Sequence, residues 1–218
     1  MNDPIRVLLV DDHALVRESV RRFLEAEPEI EVLGTSADGS SAIEFASDHE
    51  IDVVLMDIDM PGLDCFDAAE RIRSQQPRVE VVFLSAFFHD HYIDRALAVR
   101  AAGYLTKSEP PAKVIDAIRQ VGRGRVYFSP EVSERIVEDA SGVRLASNSR
   151  TRGSTLSPRE IEVVRYISRG LSKKDIAGIM SLSVKTIEGH THNIMRKLDL
   201  HNRVELTRFA IREGLAEA

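Results

Sequence analysis

The sequence has no tryptophan and a single cysteine, Cys65, among its 218 residues. One cysteine excludes an internal disulfide framework, so the fold depends on an ordinary hydrophobic core, in which Cys65 is expected to be a small buried or turn residue. No stretch approaches the ~18 unbroken apolar residues of a membrane helix. The N-terminus, MNDPIRVLLVDD, also lacks the layout of a signal peptide. We therefore expect a soluble cytoplasmic protein with no membrane partner.

The two ends of the chain differ in charge. Residues 1–122 contain 12 Lys and Arg against 23 Asp and Glu, a net charge of −11, whereas residues 150–218 contain 13 against 8, a net charge of +5. A chain of this length holds one large domain or two small ones, and the uneven charge favours two. It also indicates partners of opposite charge, with polyanion binding confined to the basic end.

Short apolar runs alternate with segments of helical periodicity in the acidic half. The runs are residues 7–10, 30–35, 53–56, 81–84 and 104–105. Strands that alternate with helices predict an α/β fold with a parallel sheet, covered by helices on both faces. We therefore predict a five-stranded sheet domain over residues 1–122.

Polar residues follow several of these predicted strands, at the sheet edge where ligands bind in such folds. They are Asp11, Asp12, Asp57, Ser85 and Lys107. Three carboxylates held together repel one another and need a proton or a cation, and an all-oxygen cluster suits Mg²⁺. Asp57 is then placed to act as a nucleophile that forms an acyl phosphate, with Lys107 and Ser85 stabilising the phosphoryl oxygens.

The acidic pair and the segment MDIDMPGLD resemble the receiver domain of two-component response regulators, over residues 5–122. The resemblance implies a flavodoxin-like, doubly wound parallel sheet in which Asp57 accepts phosphate from a histidine kinase. It also implies that Asp12 and Asp57 hold Mg²⁺ together with the backbone carbonyl of Asp59, while Asp11 acts through a bound water.

The same resemblance extends to Ser85 and to the segment GYLTK, which contains Tyr104. In this family the hydroxyl turns toward the phosphate and the aromatic ring swings inward, so these residues are expected to form the switch. Two residues depart from the family pattern: Cys65 stands where Gly is usual, and Ser108 stands where Pro or Asp is common. Both bear on loop geometry and on the lifetime of the phosphorylated state.

An alternative interpretation is an aspartate-nucleophile phosphatase. The triplet Asp57-Ile58-Asp59 looks like the D-x-D motif of haloacid-dehalogenase-type phosphatases. Those enzymes usually carry the motif on their first strand with a threonine two residues later, whereas Pro61 occupies that position here. The expectation is therefore that the protein is not an enzyme, with the phosphatase as a distant alternative.

The residue composition changes in the middle of the chain. Residues 123–152 are predicted to be a linker, with one possible short helix in SPEVSERIVEDA and a flexible, Ser- and Gly-rich stretch after it. Residues 153–218 contain helix start signals at Ser157, Ser172 and Asn202, with a stop at Gly170, and no strand pattern. They predict an all-α domain of four helices.

The third of these helices, VKTIEGHTHNIMRKL, is predicted to read DNA. Its inward stripe is Val184, Ile187, Thr191, Ile194 and Leu198. A short helix and a turn precede it, which is the arrangement of a helix-turn-helix. Residues 155–211 resemble the LuxR-type DNA-binding domain, and the whole chain resembles a response regulator of the NarL/FixJ class. The DNA-contact residues implied are Lys173, Lys174, Lys185, Thr186, Glu188, Gly189, His192, Arg196 and Lys197.

The function expected from the sequence is a phosphorylation-controlled transcriptional regulator that binds double-stranded promoter DNA. The resemblance also suggests a homodimer in the active state, with Val204, Leu206 and Ile211 of the last helix at the interface. A regulator that binds DNA without needing phosphate remains an alternative, because an intact acidic site establishes competence rather than use.

Overall fold

A computed structural model describes residues 3–86, 90–139, 142–146, 155–213 and 215–216. The chain divides into two compact units, which we call the sheet unit (residues 1–88 and 93–144) and the helical unit (residues 145–218 together with 89–92). Within the described ranges, no helix combines the length and the apolar character needed to cross a membrane.

The sheet unit alternates strands and helices, as the sequence predicts. Its strands are β1 (Ile5–Val10), β2 (Ile30–Ser36), β3 (Val53–Asp57), β4 (Glu80–Ser85), β5 (Gly103–Thr106) and β6 (Tyr127–Phe128). The helices that alternate with these strands along the chain are α1 (Ala14–Glu25), α2 (Gly39–Asp48), α3 (Cys65–Gln75), α4 (Asp90–Ala98) and α5 (Pro111–Val121).

The strands form one parallel sheet in the order β2-β1-β3-β4-β5-β6. The strand order reverses at β1, next to β3, and such a switch point places a ligand site at the carboxyl ends of these strands. The predicted parallel α/β sheet is confirmed, but the predicted count of five strands is wrong by one. The extra strand, β6, has only two residues, so it leaves no periodic signal in the sequence.

The sixth strand lies against β5 at Gly103. Gly103 pairs with Tyr127, and a side chain at position 103 would come within 2.9 Å of the carbonyl oxygen of Tyr127 and 3.1 Å of the Val82 side chain. Glycine is therefore needed here because β6 approaches the backbone closely.

Apolar side chains of the strands and of α5 form the core on one face of the sheet. Val7, Leu9, Val53, Leu55 and Leu105 are buried within it. Parallel strands covered on both faces are apolar throughout their length, and all five residues of β3 are buried. Cys65 is buried at the start of α3, as expected for a small interior residue.

The predicted linker contains more regular structure than its composition indicates. The expected short helix in SPEVSERIVEDA covers only α6 (Pro130–Ser133). Ile136–Asp139 of the same segment form a strand, β7, which pairs with β8 (Gly142–Leu145). The expectation of a flexible stretch is therefore wrong for β8. Residues 140–141 and 147–154, which include the predicted start of the last domain at 153, lie outside the described residues.

The described residues 155–213 form four α-helices, as predicted. They are α7 (Pro158–Ser168), α8 (Lys173–Ile179), α9 (Val184–Leu198) and α10 (Arg203–Arg212). Ser157, Ser172, Ser183 and Asn202 cap their starts by accepting hydrogen bonds from backbone N–H groups. Gly170 follows α7 with a φ of +88°, which is why the helix ends there.

The inward stripe predicted for α9 is largely present, since Ile187, Ile194 and Leu198 are fully buried. Val184 is an exception, because it lies in the first turn and is 43% exposed. Leu206 of α10 is buried in the core of the unit, so it is not available for the predicted dimer interface, whereas Val204 and Ile211 are exposed.

Candidate functional site

The strand-terminal residues of β1 and β3 lie side by side. Val10 pairs with Met56 in the sheet, so Asp11 and Asp57 leave neighbouring strands at the same level. Both carboxylates are almost fully buried, whereas the Asp12 side chain is 26% exposed. The residues following Asp57 begin with a turn, in which the Asp59 backbone N–H donates to Asp57 Oδ1 at 3.1 Å.

Lys107 is the cation of this site. Its Nζ lies 2.8 Å from Asp11 Oδ2 and 2.8 Å from Asp57 Oδ2, and its side chain is only 21% exposed. The backbone N–H of Lys107 also donates to the Ser85 carbonyl at 2.7 Å, which fixes the start of this loop to the end of β4. One ammonium group therefore bridges two buried carboxylates.

The ionisation of this group of residues reflects burial and mutual charge. Burial is the main reason that the pKa of Asp57 is raised, with a further contribution from Asp11 and Asp12, while Lys107 opposes the shift. Burial alone would lower the pKa of Lys107, but the charges of Asp57 and Asp11 raise it above its usual value. Lys107 is therefore a permanent cation at neutral pH, and Asp57 is held in an environment that disfavours its charge.

The acidic side chains are close enough to share a metal ion. Ligand atoms of Asp11, Asp12, His13 and Asp57 all lie within 4.8 Å of one another. Carboxylate oxygens are the usual ligands of hard divalent cations, so the donor set fits a divalent ion. Sequence reasoning found the three aspartates but missed His13, which no motif singled out.

Ser85 and Tyr104 are neighbours across the strand ends of β4 and β5. Both are buried, and Tyr104 is completely enclosed. Burial raises the pKa of the Tyr104 hydroxyl, and its hydrogen bond with the Ser85 side chain opposes this shift. The Tyr104 ring thus occupies an inward position, linked by its hydroxyl to Ser85.

A second candidate surface lies on the helical unit, on α8 and α9. The predicted DNA-contact residues at the start of α9 are exposed: Lys185, Thr186, Glu188, Gly189 and His192. Lys173 of α8 donates to Glu188 Oε1 at 3.2 Å, and both side chains are at least half exposed. The two helices therefore present one polar surface, on which a cation and an anion form a pair.

Lys197 differs from the other predicted phosphate contacts. Its Nζ donates to Glu160 Oε2 at 2.6 Å and to the Thr155 carbonyl at 3.3 Å. Glu160 is buried and also accepts from the Ser157 backbone N–H. Burial alone would raise the pKa of Glu160, but hydrogen bonds from Lys197 and Ser157 hold it below its usual value. Lys197 therefore has a structural partner that the sequence pattern did not reveal.

Known families match both units. Residues 7–119 match the family described as "Response regulator receiver domain", and residues 154–210 match "Bacterial regulatory proteins, luxR family".

Two relatives align with this chain over almost their whole length. The chain is 34% identical over 214 residues to the response regulator UvrY of Escherichia coli K12, covering 98% of this chain and 97% of that one. It is 33% identical over 215 residues to YxjL of Bacillus subtilis, an uncharacterized transcriptional regulatory protein, covering 99% of each.

Solved structures show related folds. RcsB of Salmonella enterica serovar Typhimurium bound to a promoter aligns with a TM-score of 0.67 at 24% identity, covering 95% of this chain and 98% of that one. A LuxR-family two-component response regulator from an Aurantimonas species aligns with a TM-score of 0.58 at 31% identity, covering 61% of this chain and 94% of that one.

Proposed function

The chain belongs to the two-component response regulators of the NarL/FixJ class, and from this membership we propose that it is a transcriptional regulator whose DNA binding is controlled by phosphorylation of Asp57. One observation supports this most strongly: the buried Asp57 carboxylate lies 2.8 Å from Lys107 in a cluster of further carboxylates. A carboxylate at a strand end is costly to bury, and its arrangement with a fixed cation suits transfer of a phosphoryl group.

In the proposed reaction, a histidine kinase is the phosphate donor. An oxygen of the Asp57 carboxylate attacks phosphorus, the P–O bond forms, and the P–N bond to the kinase imidazole breaks, leaving a neutral imidazole after protonation. Lys107 stabilises the charge on the phosphoryl oxygens. Asp12, Asp57 and the backbone carbonyl of Asp59 are the residues that would hold Mg²⁺, which when bound supplies further positive charge to those oxygens.

The conformational response is proposed to begin at Ser85. A phosphoryl group on Asp57 offers a new acceptor to the Ser85 hydroxyl, which in the present structure is linked to Tyr104. A change of partner for Ser85 therefore changes what holds the Tyr104 ring. Phosphorylation acts on the equilibrium between two states only through such differential contacts.

The proposed output is binding of double-stranded DNA by a homodimer. Lys185, Thr186, Glu188, Gly189 and His192 are proposed to face the bases or nearby backbone. Lys173, Lys174, Arg196 and Lys197 are proposed to contact phosphates, and for Lys197 this requires sharing its ammonium group with Glu160. The exposed Val204 and Ile211 on α10 support an apolar contact between two copies.

A regulator that binds DNA without phosphate is the second candidate. Tyr104 is already fully buried, and the inward ring is the position that family resemblance associates with phosphorylation. A phosphatase has no comparable support, because Asp57 ends the third strand in sequence and not the first. We infer that the site receives a phosphoryl group as a signal and does not turn over small phosphate esters.

Full-length protein treated with Mg²⁺ and acetyl phosphate tests the two candidates. We expect a gain of one phosphoryl group by intact mass. We also expect about tenfold tighter binding to selected paired half-sites in a gel shift, equivalent to about 1.4 kcal/mol. Untreated protein is the control. Phosphorylation without any change in DNA affinity would instead support the phosphate-independent regulator.

The Lys173 and Glu188 pair predicts two different effects on DNA recognition. Lys173→Ala should weaken binding to all sequences. It should also reduce the slope of log affinity against log salt concentration by about one, the value for one lost phosphate contact. Glu188→Ala should relax sequence preference, because a carboxylate facing the groove can accept from a cytosine amino group and repels phosphates. Glu188→Ala also releases Lys173 from its ion pair, so total affinity should not fall.

Binding-site selection on both variants, followed by affinity measurements over a range of salt concentrations, separates these effects. Glu162→Ala is a matched control, since Glu162 forms a surface ion pair with Arg159 on α7. Identical sequence preferences for the wild type and Glu188→Ala would contradict a role in base recognition.

A further inference from the structure

A histidine lies at the edge of the acidic cluster. The Nδ1 atom of His13 is 2.8 Å from Asp12 Oδ1 and 3.6 Å from Asp11 Oδ1. Its ligand atom belongs to the group of four that lies within 4.8 Å. The function proposed above uses Asp12, Asp57 and the backbone carbonyl of Asp59 and leaves His13 without a role.

The local backbone explains why the imidazole lies on this side. The His13 backbone N–H donates to Asp11 Oδ1 at 2.8 Å, and α1 begins immediately afterwards at Ala14. Arg17 in the first turn of that helix donates to the Asp11 carbonyl. The turn between β1 and α1 is thus fixed at both ends, and its geometry holds the His13 ring against Asp12.

The distances are compatible with a shared ion. Neighbouring ligand atoms of an octahedral ion with bonds of about 2.1 Å are about 3.0 Å apart, and opposite ligand atoms are about 4.2 Å apart. The His13–Asp12 distance of 2.8 Å and the His13–Asp11 distance of 3.6 Å fall near this range. Since the four ligand atoms lie at most 4.8 Å apart, shifts of these side chains by less than about 1 Å would bring them to the separations that one ion requires.

The chemistry of the ligands then distinguishes between metals. Mg²⁺ prefers oxygen ligands and water, so an imidazole adds little to its affinity. Imidazole suits Mn²⁺ weakly and Ni²⁺ or Zn²⁺ well, and the affinity of nitrogen-containing sites rises from Mn²⁺ to Ni²⁺. The His13 side chain is 61% exposed, so an arriving ion can reach it.

We propose that His13 is an additional ligand at the phosphoacceptor site, which raises the affinity of this site for transition-metal cations above that of an all-aspartate cluster. The inference rests on the proposed function, because it takes the acidic site of Asp12 and Asp57 as the place where the metal binds.

Tag-free full-length protein, stripped with a chelator, is titrated calorimetrically with Mg²⁺ and separately with Ni²⁺. Wild type should bind Ni²⁺ at least about tenfold more tightly than His13→Ala, since even outer partners of metal ligands contribute that much. The two proteins should bind Mg²⁺ with affinities within about twofold of each other. His49→Ala removes another exposed histidine of the sheet unit, at the end of α2, and should bind both ions like the wild type.

Electron spin-echo spectroscopy of Mn²⁺-loaded protein tests the ligand directly. Wild type should show nitrogen modulation that is lost in His13→Ala and retained in His49→Ala. Wild-type Mn²⁺ spectra without nitrogen modulation, or an unchanged Ni²⁺ affinity in His13→Ala, would overturn the role of His13.

The Asp57→Asn variant separates this inference from the proposed function. If Asp57→Asn weakens Mg²⁺ binding while His13→Ala leaves Ni²⁺ binding unchanged, the acidic site stands and the imidazole ligand is rejected. If neither Mg²⁺ nor Mn²⁺ binds the wild type, the acidic metal site itself is rejected, and the inference falls with it.

Discussion

Replacing Asp57 with asparagine is expected to abolish phosphorylation while leaving the fold at least as stable as in the wild type. The amide has no anionic oxygen to attack phosphorus, so incorporation from acetyl phosphate should fall by at least about 100-fold. Intact mass after a fixed incubation measures this loss. Asp48→Asn is the matched control, because Asp48 is an exposed aspartate at the end of α2.

The expected stability follows from the ionisation of Asp57. Its pKa is raised, chiefly by burial. A carboxyl group whose pKa is higher in the folded chain stabilises the fold at low pH and loses that contribution as the pH rises through the folded value. At neutral pH the charge on Asp57 therefore opposes folding, and Asn removes that charge. A variant that lost phosphorylation only because it unfolded would have a lower urea midpoint than the wild type, and that result would contradict this account.

Lys107→Met is expected to have the opposite effect on stability. It removes the cation that contacts the buried carboxylates of Asp11 and Asp57. Removing one partner of a buried ion pair costs about 3–5 kcal/mol, because the remaining charges are left uncompensated. The Lys107 side chain is 21% exposed, so solvent reduces this penalty only in part.

Urea titration in the presence of a chelator, followed by hydrogen exchange in peptides from β3, measures the stability of the sheet unit by itself. Lys113→Met is the control, because Lys113 lies exposed on α5. The double variant Lys107→Met with Asp57→Asn should recover a substantial part of the loss, since the two residues share one contact and their effects are not additive. Equal stability of Lys107→Met and Lys113→Met would show that the bridge contributes nothing to folding.

Features fixed by local chemistry were predictable from the sequence. The continuous apolar run of β3 ends on Asp57 in the structure as in the prediction. The caps at Ser157, Ser172 and Asn202 begin helices for the same local reason, because their side chains accept from backbone groups within three residues. Features of this kind can be predicted from the sequence because they depend only on neighbouring residues and not on distant parts of the chain.

Features that depend on distant contacts were not predictable. Lys197 was assigned to phosphate contact from its position on α9, but its ammonium group meets Glu160, 37 residues earlier in the chain. Val184 fits the apolar stripe by spacing, yet it lies in the first turn of α9, where the core no longer covers it. His13 is a different case, because its turn is closed by a near neighbour, Asp11, but residue spacing alone does not encode which way the ring faces.

The short strand β6 has a consequence for how such regulators exchange modules during evolution. It covers the outer edge of β5, the strand that carries Tyr104, and an uncovered strand edge is a template for pairing with other chains. A recombination breakpoint at residue 122 would separate β5 from β6, the strand that covers its edge. The sequence motifs of both domains would nevertheless stay intact. Breakpoints after residue 129 keep the edge with its sheet, so the inherited unit is longer than the domain that its motifs delimit.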